Sequence, residues 1–458
     1  MGRLATSTEI HMEKGPIGKT LLLFTLPVLL SQLLQQLYSM VDCMVVGHFG
    51  GSYGIAATGV AGLILSVIVN FFIGFSAGIS FITARLFGAY DYEKLKQNIQ
   101  TMIWLSGFLG VLLTAAGVPA AGQLLRWLNC PEEVLPSARL YLQICFFGMV
   151  PQLVYNTGNA ILRSLGNTRS PLVYLAASAM VNLVLDLVLV IGFSAGLEGA
   201  AWATLISQWA LALLILWKLR HVEEAYRLEF GGGVLSVREL GEILRMGVPS
   251  GMQAFFMSVS SLVIQLSINA FGPDAVAGMT VYAKVEGFLY YPAFSYGMAL
   301  TGFIGQNYGA GAMDRVRRAM NTSLKVAVGF TVPVSLILVF CSQYILLLFT
   351  KDPGILQCGR EAIACVLPWY FLYSIDQVYI GGLKGLGRTG YPMLCSMICY
   401  CFFRIAWCEM LLPIWWDMRV VYHSYNVSLL LMAVLLAVKY YRVYGRCLRG
   451  LAGETQAR

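Results

Sequence analysis

The sequence predicts an all-α integral membrane fold, with twelve transmembrane helices in two six-helix repeats related by a pseudo-two-fold axis along the membrane normal. Three observations predict it. Only 12% of the 458 residues are charged and 58% are hydrophobic, whereas an average soluble domain carries about 25% charged residues. The apolar residues run in blocks such as 55–82, 142–162, 171–193 and 322–349, each at or above the ~20 residues a helix needs to cross a hydrocarbon core of about 30 Å. Finally, Leu162-Arg-Ser-Leu-Gly-Asn-Thr-Arg-Ser-Pro171 returns as Leu383-Lys-Gly-Leu-Gly-Arg-Thr-Gly-Tyr-Pro392, 221 residues later.

Hydropathy, Gly/Pro breaks and charge place the helices near 20–47, 54–84, 97–119, 135–160, 169–193, 199–217, 244–271, 276–305, 319–349, 360–382, 391–413 and 421–442. Several exceed the minimum span, as tilted or projecting helices do. Before the first block lie Arg3, Glu9, Glu13, Lys14 and Lys19 with no apolar core, so the first block is expected to stay as a span and not to be cleaved as a signal peptide. The start Met-Gly-Arg-Leu-Ala-Thr formally fits a myristoylation pattern, but a many-span chain needs no lipid anchor.

Basic residues set the orientation. Of 31 Lys and Arg, 23 fall in one alternate set of connections and the termini: Arg3, Lys14, Lys19; Arg85, Lys94, Lys96; Arg163, Arg169; Lys218, Arg220, Arg227, Arg238, Arg245; Arg315, Arg317, Arg318; Lys384, Arg388; and Lys439, Arg442, Arg446, Arg449, Arg458. The opposite connections hold Arg126, Arg139, Lys351, Arg360 and Arg419. Positive residues favour the cytoplasm, so both termini are expected inside a plasma membrane. The domains follow: an N-terminal segment 1–19, an N-lobe 20–217, a basic linker 218–243 containing Gly231-Gly232-Gly233, a C-lobe 244–442 and a tail 443–458.

The repeat extends beyond the one motif. At the same offset of 221, Gly88-Ala89 meets Gly309-Ala310 and Glu93-Lys-Leu-Lys96 meets Asp314-Arg-Val-Arg317, while Pro27 in span one has its counterpart in Pro249 of span seven. Six spans is an even number, so both halves enter from the same side and an axis along the membrane normal relates them. Such halves enclose a cavity at their interface that opens by rocking, the architecture of secondary transporters.

Other classes find no support. The net charge of +8 sits in short loops between apolar blocks, which does not suit a nucleic-acid partner. The eleven Cys lie mostly inside apolar stretches, where Cys packs as a small hydrophobe; the cluster Cys395, Cys399, Cys401 and Cys408 has neither a nearby His nor a CxxC pair. Gly381-Gly-Leu-Lys-Gly-Leu-Gly-Arg-Thr389 lacks the Gly-Lys-Ser/Thr ending of a phosphate loop. His11, His48, His221 and His423 fall outside the apolar blocks, and no catalytic constellation is visible within the spans. No enzyme activity and no cofactor are expected.

Ionisable residues inside spans cost at least ~2.5–3.5 kcal/mol each and mark function by default. They are Asp42, Asp186, Lys284, Glu286, Lys325, Asp376, Arg404 and Glu409. Lys325 is near a helix end and can snorkel; Lys284 and Glu286 are two apart and point in different directions. In the N-terminal half, Asp42 stands in Val41-Asp-Cys-Met-Val-Val-Gly47-His-Phe-Gly50, Asn182 and Asp186 share a face of span five, and Thr204 ends Gly199-Ala-Ala-Trp-Ala-Thr204 of span six. Two carboxylates, an amide oxygen and a hydroxyl suit Na⁺ or a shared proton; the same residue types equally suit a structural polar network. Tyr38, Asn70, Gln152, Tyr155, Asn156, Gln253, Gln265 and Tyr282 are polar or aromatic groups on spans that border a central cavity, each also suited to helix–helix bonding.

With these residues in order, the chain resembles the multidrug and toxic compound extrusion (MATE) family over about residues 16–445. The resemblance rests on V-D-x-x-x-V-G-x-x-G (Val41–Gly50), N-x-x-x-D (Asn182–Asp186), G-A-A-x-A-T (Gly199–Thr204) and the repeated L-[RK]-x-L-G-x-T; length and texture are similar to the MepA-like and DinF-like branches. It implies a V-shaped pair of six-helix lobes exporting cationic or amphipathic organic compounds in exchange for Na⁺ or H⁺. It also implies an N-lobe cation site of Asp42, Asn182, Asp186 and Thr204, and a bend of span one at Pro27, where the ring removes a backbone hydrogen bond. Asp376 lies close to the acidic C-lobe residue of the NorM-like branch, with Glu286 as a possible companion, but Met257 stands where that branch has its span-seven acid. The N-lobe is therefore favoured. A monomer is expected. The alternatives are a lipid-linked oligosaccharide flippase, which should line its cavity with several Arg and Lys, and an intramembrane lipid-modifying enzyme. A pure channel would need neither buried titratable pairs nor duplicated halves.

Overall fold

The computed structural model describes residues 12–49, 53–229 and 236–456, with side chains as far as residue 447. Arg3, Glu9, His11, the myristoylation pattern, Gly50, Gly231–Gly233 and Arg458 lie outside that description, as does the side chain of Arg449. The described secondary structure is helical, and the chain divides into two units.

The first unit contains Leu26–Gly247. It takes most of α1 (Ile17–Phe49), then α2 (Gly54–Gly88), α3 (Tyr92–Trp127), α4 (Leu135–Phe147), α5 (Met149–Ser164), α6 (Arg169–Asp186), α7 (Gly196–Arg220) and the first turns of α8 (Val237–Asn269). One feature corrects the sequence reading. The span expected at 135–160 is two helices, α4 and α5, parted at Gly148. Pro151 in the first turn of α5 lacks the N–H that would bond the Phe147 carbonyl, which weakens a continuous helix there. A π-helical turn, Leu187–Gly192, continues α6.

The second unit takes Met12–Thr25 together with Val248 onward. Its helices are the remainder of α8, then α9 (Pro273–Gly309), α10 (Met313–Phe340), α11 (Ser342–Leu347), α12 (Pro353–Val366), α13 (Phe371–Gly385), α14 (Gly390–Ser396), α15 (Phe403–Leu411) and α16 (Met418–Gln456). The span expected at 360–382 is bent by 48° where α12 gives way to α13. Between them Leu367–Trp369 is a 3₁₀ turn, because Pro368 cannot donate to the Ala364 carbonyl; the Ser335 hydroxyl bonds the Leu367 carbonyl. The span expected at 319–349 is likewise split into α10 and α11 around Cys341. A second π-helical turn, Met397–Phe402, joins α14 to α15, and α6 and α14 begin 221 residues apart.

Each unit includes a segment from outside its main stretch of chain. In the second unit the Met12 N–H donates to Gln306 Oε1 at 3.0 Å, and the Arg315 guanidinium donates to the carbonyls of Met12 and Gly15, each at 3.0 Å. In the first unit the early turns of α8 are held by the Arg85–Glu242 ion pair at 2.8 Å and by Asn98 Nδ2 donating to Glu239 Oε2 at 3.4 Å. The unit boundaries fall at Thr25/Leu26 and Gly247/Val248, in each case just ahead of the prolines Pro27 and Pro249.

The exposed surface is rich in large apolar side chains, unlike that of a water-soluble bundle. Along α1 the side chains of Leu22, Leu26, Leu30, Leu33, Leu37 and Met44 are exposed on one helical stripe, and Phe108, Phe193 and Phe340 are bare on other elements. Thr83, Asn98, Asn182, Asp186 and Asp376 are buried. An apolar exterior, with its polar groups buried among a largely apolar core, is what a hydrocarbon solvent selects, with backbone groups satisfied within helices. Among the described residues, nine helices are long and apolar enough to cross a membrane, or ten with the bent pair α12 and α13. The chain is thus a multi-pass membrane protein. α9, with Asp274, Lys284 and Glu286, is not one of the nine.

The turn between α2 and α3 gives a prediction of its own. Asp91 caps α3: its Oδ1 accepts from the Lys94 N–H at 3.3 Å and its Oδ2 pairs with Lys94 Nζ at 2.7 Å. The hydrogen bond from the Lys94 side chain holds its carboxyl below the usual range. A carboxyl lowered in the folded state stabilises above its unfolded pKa, and that contribution is lost as pH falls through the folded value. The protection of the Lys94 and Leu95 amides, relative to their intrinsic exchange at the same pH, should therefore fall on acidification below about pH 4. Asp91→Ala should show the lower protection already at neutral pH, at a cost of about 1 kcal/mol; equal protection in both proteins would refute the cap.

Candidate functional site

In the first unit, α1, α6 and α7 bring the N-terminal set together. Asp186 is the last residue of α6 before its π-helical turn and is 0% exposed. Neither of its carboxylate oxygens has a hydrogen-bond partner among the described residues. Asn182, one turn earlier on the same face, is buried with its Nδ2 unpartnered. On α1, Asp42 is half-buried and its Oδ1 is buried without a partner. Its charge is felt at Asp186, and both charges are felt at Tyr38. The Tyr38 hydroxyl lies beside the Thr204 and Ser207 hydroxyls of α7.

Buried polar atoms are normally paired, and a lone carboxylate in low dielectric is costly. Two carboxylates with three unpartnered oxygens are an arrangement that a cation or a proton would suit. A π-helical turn directly after Asp186 fits that reading, because such turns occur frequently at functional sites. A cavity of about 230 Å³ adjoins the set, bounded by Tyr38, Gln152, Tyr155, Thr204, Ser207 and Gln208 among others. Its hydroxyls, amides and aromatic rings share the wall with Leu65, Val69, Met149, Leu175 and Leu211, and neither carboxylate is among the lining residues.

The residues named as cavity candidates are distributed unevenly. Tyr38, Gln152 and Tyr155 line this cavity. Asn156, on α5, has an unpartnered Nδ2, and Asn70 on α2 is exposed. Gln253 and Tyr282 belong to the second unit: Gln253 Nε2 donates to Ser396 Oγ at 3.2 Å, and Tyr282 lies beside Glu286. Gln265 Nε2 bonds Asn269 Oδ1 at 2.9 Å on the same helix. Pro27 is inside α1, and Ser31 Oγ donates to its carbonyl at 2.8 Å. In the second unit Asp376 is fully buried, while Glu286 is half-buried and Lys284 exposed, as a two-residue offset on a helix requires.

Sequence reasoning missed Gln35, Tyr141, Cys145, Ser207 and Gln208, which line the cavity. One signal was present: Ser207 is three residues after Thr204 and so shares its face of α7. Ser178 Oγ on α6 donates to the Ser207 carbonyl at 2.8 Å, tying that face to the helix of Asp186.

Comparisons with known proteins bear on the family. The family model described as MatE matches the chain twice, over residues 27–188 and 249–409. A probable multidrug resistance protein of Bacillus subtilis, YoeA, is 28% identical over 84% of this chain and 84% of its own length. The multidrug export protein MepA of Staphylococcus aureus (strain bovine RF122 / ET3-1) is 23% identical over 82% of this chain and 84% of its own. Among solved structures, one described as MATE in the bent conformation superposes with a TM-score of 0.91 at 21% identity, covering 98% of this chain and 99% of that one. An outward-facing multidrug resistance MATE transporter gives 0.89 at 21% identity, covering 97% and 99%. The two family matches span most of the sequence, and the chain belongs to the MatE family, the multidrug and toxic compound extrusion transporters.

Proposed function

We propose that the protein is a secondary active exporter that exchanges Na⁺ or H⁺ for cationic or amphipathic organic compounds by alternating access across the plasma membrane. Twelve spans, cytoplasmic termini and two lobes related about the membrane normal complete the reading. The observation that carries it is Asp186, wholly buried with both oxygens unpartnered and within the field of Asp42. A cation arriving at Asp42, Asn182, Asp186 and Thr204 would neutralise the pair, and its preference for one state of the lobe would shift the transport cycle toward that state. Pro27 gives α1 a place to bend in response. The names of YoeA and MepA support drug export as the cargo class.

The flippase alternative is weaker. It calls for a basic cavity, yet Lys284 and Lys325 are exposed, and Arg404 is engaged by tyrosine rings. The test is ethidium efflux from inverted membrane vesicles, with a Na⁺ gradient and a H⁺ gradient imposed separately. One of the two should accelerate efflux severalfold; indifference to both would remove the antiporter reading.

A further inference from the structure

Three helices of the second unit bring together two carboxylates and one guanidinium: buried Asp376 on α13, and half-buried Glu286 on α9 and Arg404 on α15. Asp376 Oδ2 accepts from the Tyr400 hydroxyl at 2.7 Å, while its Oδ1 is unpartnered among the described residues. The Tyr282 and Tyr370 hydroxyls lie beside the Glu286 carboxylate. Arg404 makes no direct ion pair among the described residues. Its Nε donates to Ser428 Oγ at 2.7 Å, and its guanidinium carbon lies 4.7 Å from the centre of the Tyr400 ring and 4.3 Å from that of Tyr425. Its charge is felt at both Glu286 and Asp376.

Tyr400 links the two kinds of charge. A cation over a phenol face is attracted by the ring quadrupole and polarises the hydroxyl, which strengthens its bond to Asp376. Aromatic faces with a carboxylate behind them form the usual seat for an organic cation. Guanidinium suits such a seat, being flat, permanently charged and weakly hydrated. Here the seat is taken by a side chain of the protein itself. The nearby Lys284 does not compete for it, since its side chain is exposed.

We propose that Arg404 is the resident cation of the second unit, filling a tyrosine-lined seat and closing Glu286 and Asp376 to any mobile cation. The seat selects flat monovalent cations of the guanidinium type, and it becomes vacant only when the Arg404 side chain is removed. This inference stands apart from the reading of Asp42 and Asp186, because its test measures neither transport nor those residues.

The experiment is chemical rescue of the purified protein in detergent, read as melting temperature. Arg404→Ala should melt several degrees below the wild type. Millimolar ethylguanidinium should restore most of that loss saturably, while the neutral ethylurea should not, and neither should raise the wild type. If ethylguanidinium shifts Arg404→Ala no more than it shifts the wild type, the proposal is overturned. Should Arg404→Ala not fold, a second pair of variants decides the matter. Glu286→Gln with Asp376→Asn leaves the guanidinium unopposed and should melt lower than the wild type, and adding Arg404→Met should recover the loss. A double variant as stable as the wild type, or a triple variant no better than the double, also overturns it.

Discussion

Asp186→Asn should sharply reduce gradient-driven export while leaving the protein at least as stable as the wild type. The two halves of that expectation come from the same fact. A buried carboxylate with no hydrogen-bond partner contributes little to the fold and costs desolvation, so an amide of equal size removes an unfavourable charge. Losing the charge also removes the difference in cation affinity between conformations, and coupling energies of that kind are worth roughly 1–3 kcal/mol, or about 5–150-fold. Efflux driven by the effective gradient should therefore fall by at least about 5-fold, with the melting temperature unchanged or raised. Asp42→Asn should behave similarly, and the double variant should be little worse than either, because the two carboxylates act as one unit. A purely structural polar network makes the opposite forecast, with export retained and stability lost. Vesicle efflux and a melting curve on the same preparation separate the two, and wild-type efflux from both single variants would rule out first-unit coupling.

Gly381→Ala should destabilise the second unit more than any surface change. A Cβ built on Gly381 of α13 meets the carbonyl oxygen of Gly297 on α9 at 2.5 Å, and one built on Gly297 meets the Gln377 carbonyl at 2.9 Å. Both obstacles are backbone, so no side chain can swing away and the two helices must separate. Small residues permit this closeness in membrane bundles, and the Thr301 hydroxyl, bonded to the Gly297 carbonyl at 3.1 Å and to that of Gly381 at 3.4 Å, spans the same seam. Overpacking costs about 1–3 kcal/mol, which for a unit of this size lowers the melting temperature by roughly 2–4 °C per kcal/mol. Gly381→Val should fail to accumulate as folded protein. A Gly381→Ala protein that melts with the wild type would show that the seam is looser than the geometry says.

Much of the membrane architecture is legible in the sequence because the bilayer imposes it. Long apolar blocks and alternating basic loops follow from the solvent, and Asp42 and Asp186 draw attention because charge inside a span is costly. Gln208 and Gln35 were not legible: Gln is an ordinary residue in helices, and their role depends on which face α1 and α7 turn toward each other. The breaks at Gly148 and at Leu367–Trp369 escaped because prolines in membrane helices are often tolerated without a break, so Pro151 and Pro368 did not announce themselves. The tyrosine seat of Arg404 escaped for a topological reason. Tyr400 is four residues from Arg404 and readable as a helix neighbour, but Tyr425, Asp376 and Glu286 come from other helices, the last of them more than a hundred residues away.

The segments exchanged at the starts of α1 and α8 bear on how the molecule comes into being. Cutting the chain within 230–235 would divide the sequence without dividing the units. The leading fragment would retain Met12–Thr25, which belongs to the second unit, and would lack Val237–Gly247, which completes the first. Neither fragment contains a whole unit, and each holds a piece of the other. This is the connectivity of a domain-swapped dimer whose two protomers have been fused into one polypeptide. During synthesis Met12, just ahead of the first helix, must wait for its partners until Gln306, Asn307 and Arg315 are made nearly three hundred residues later.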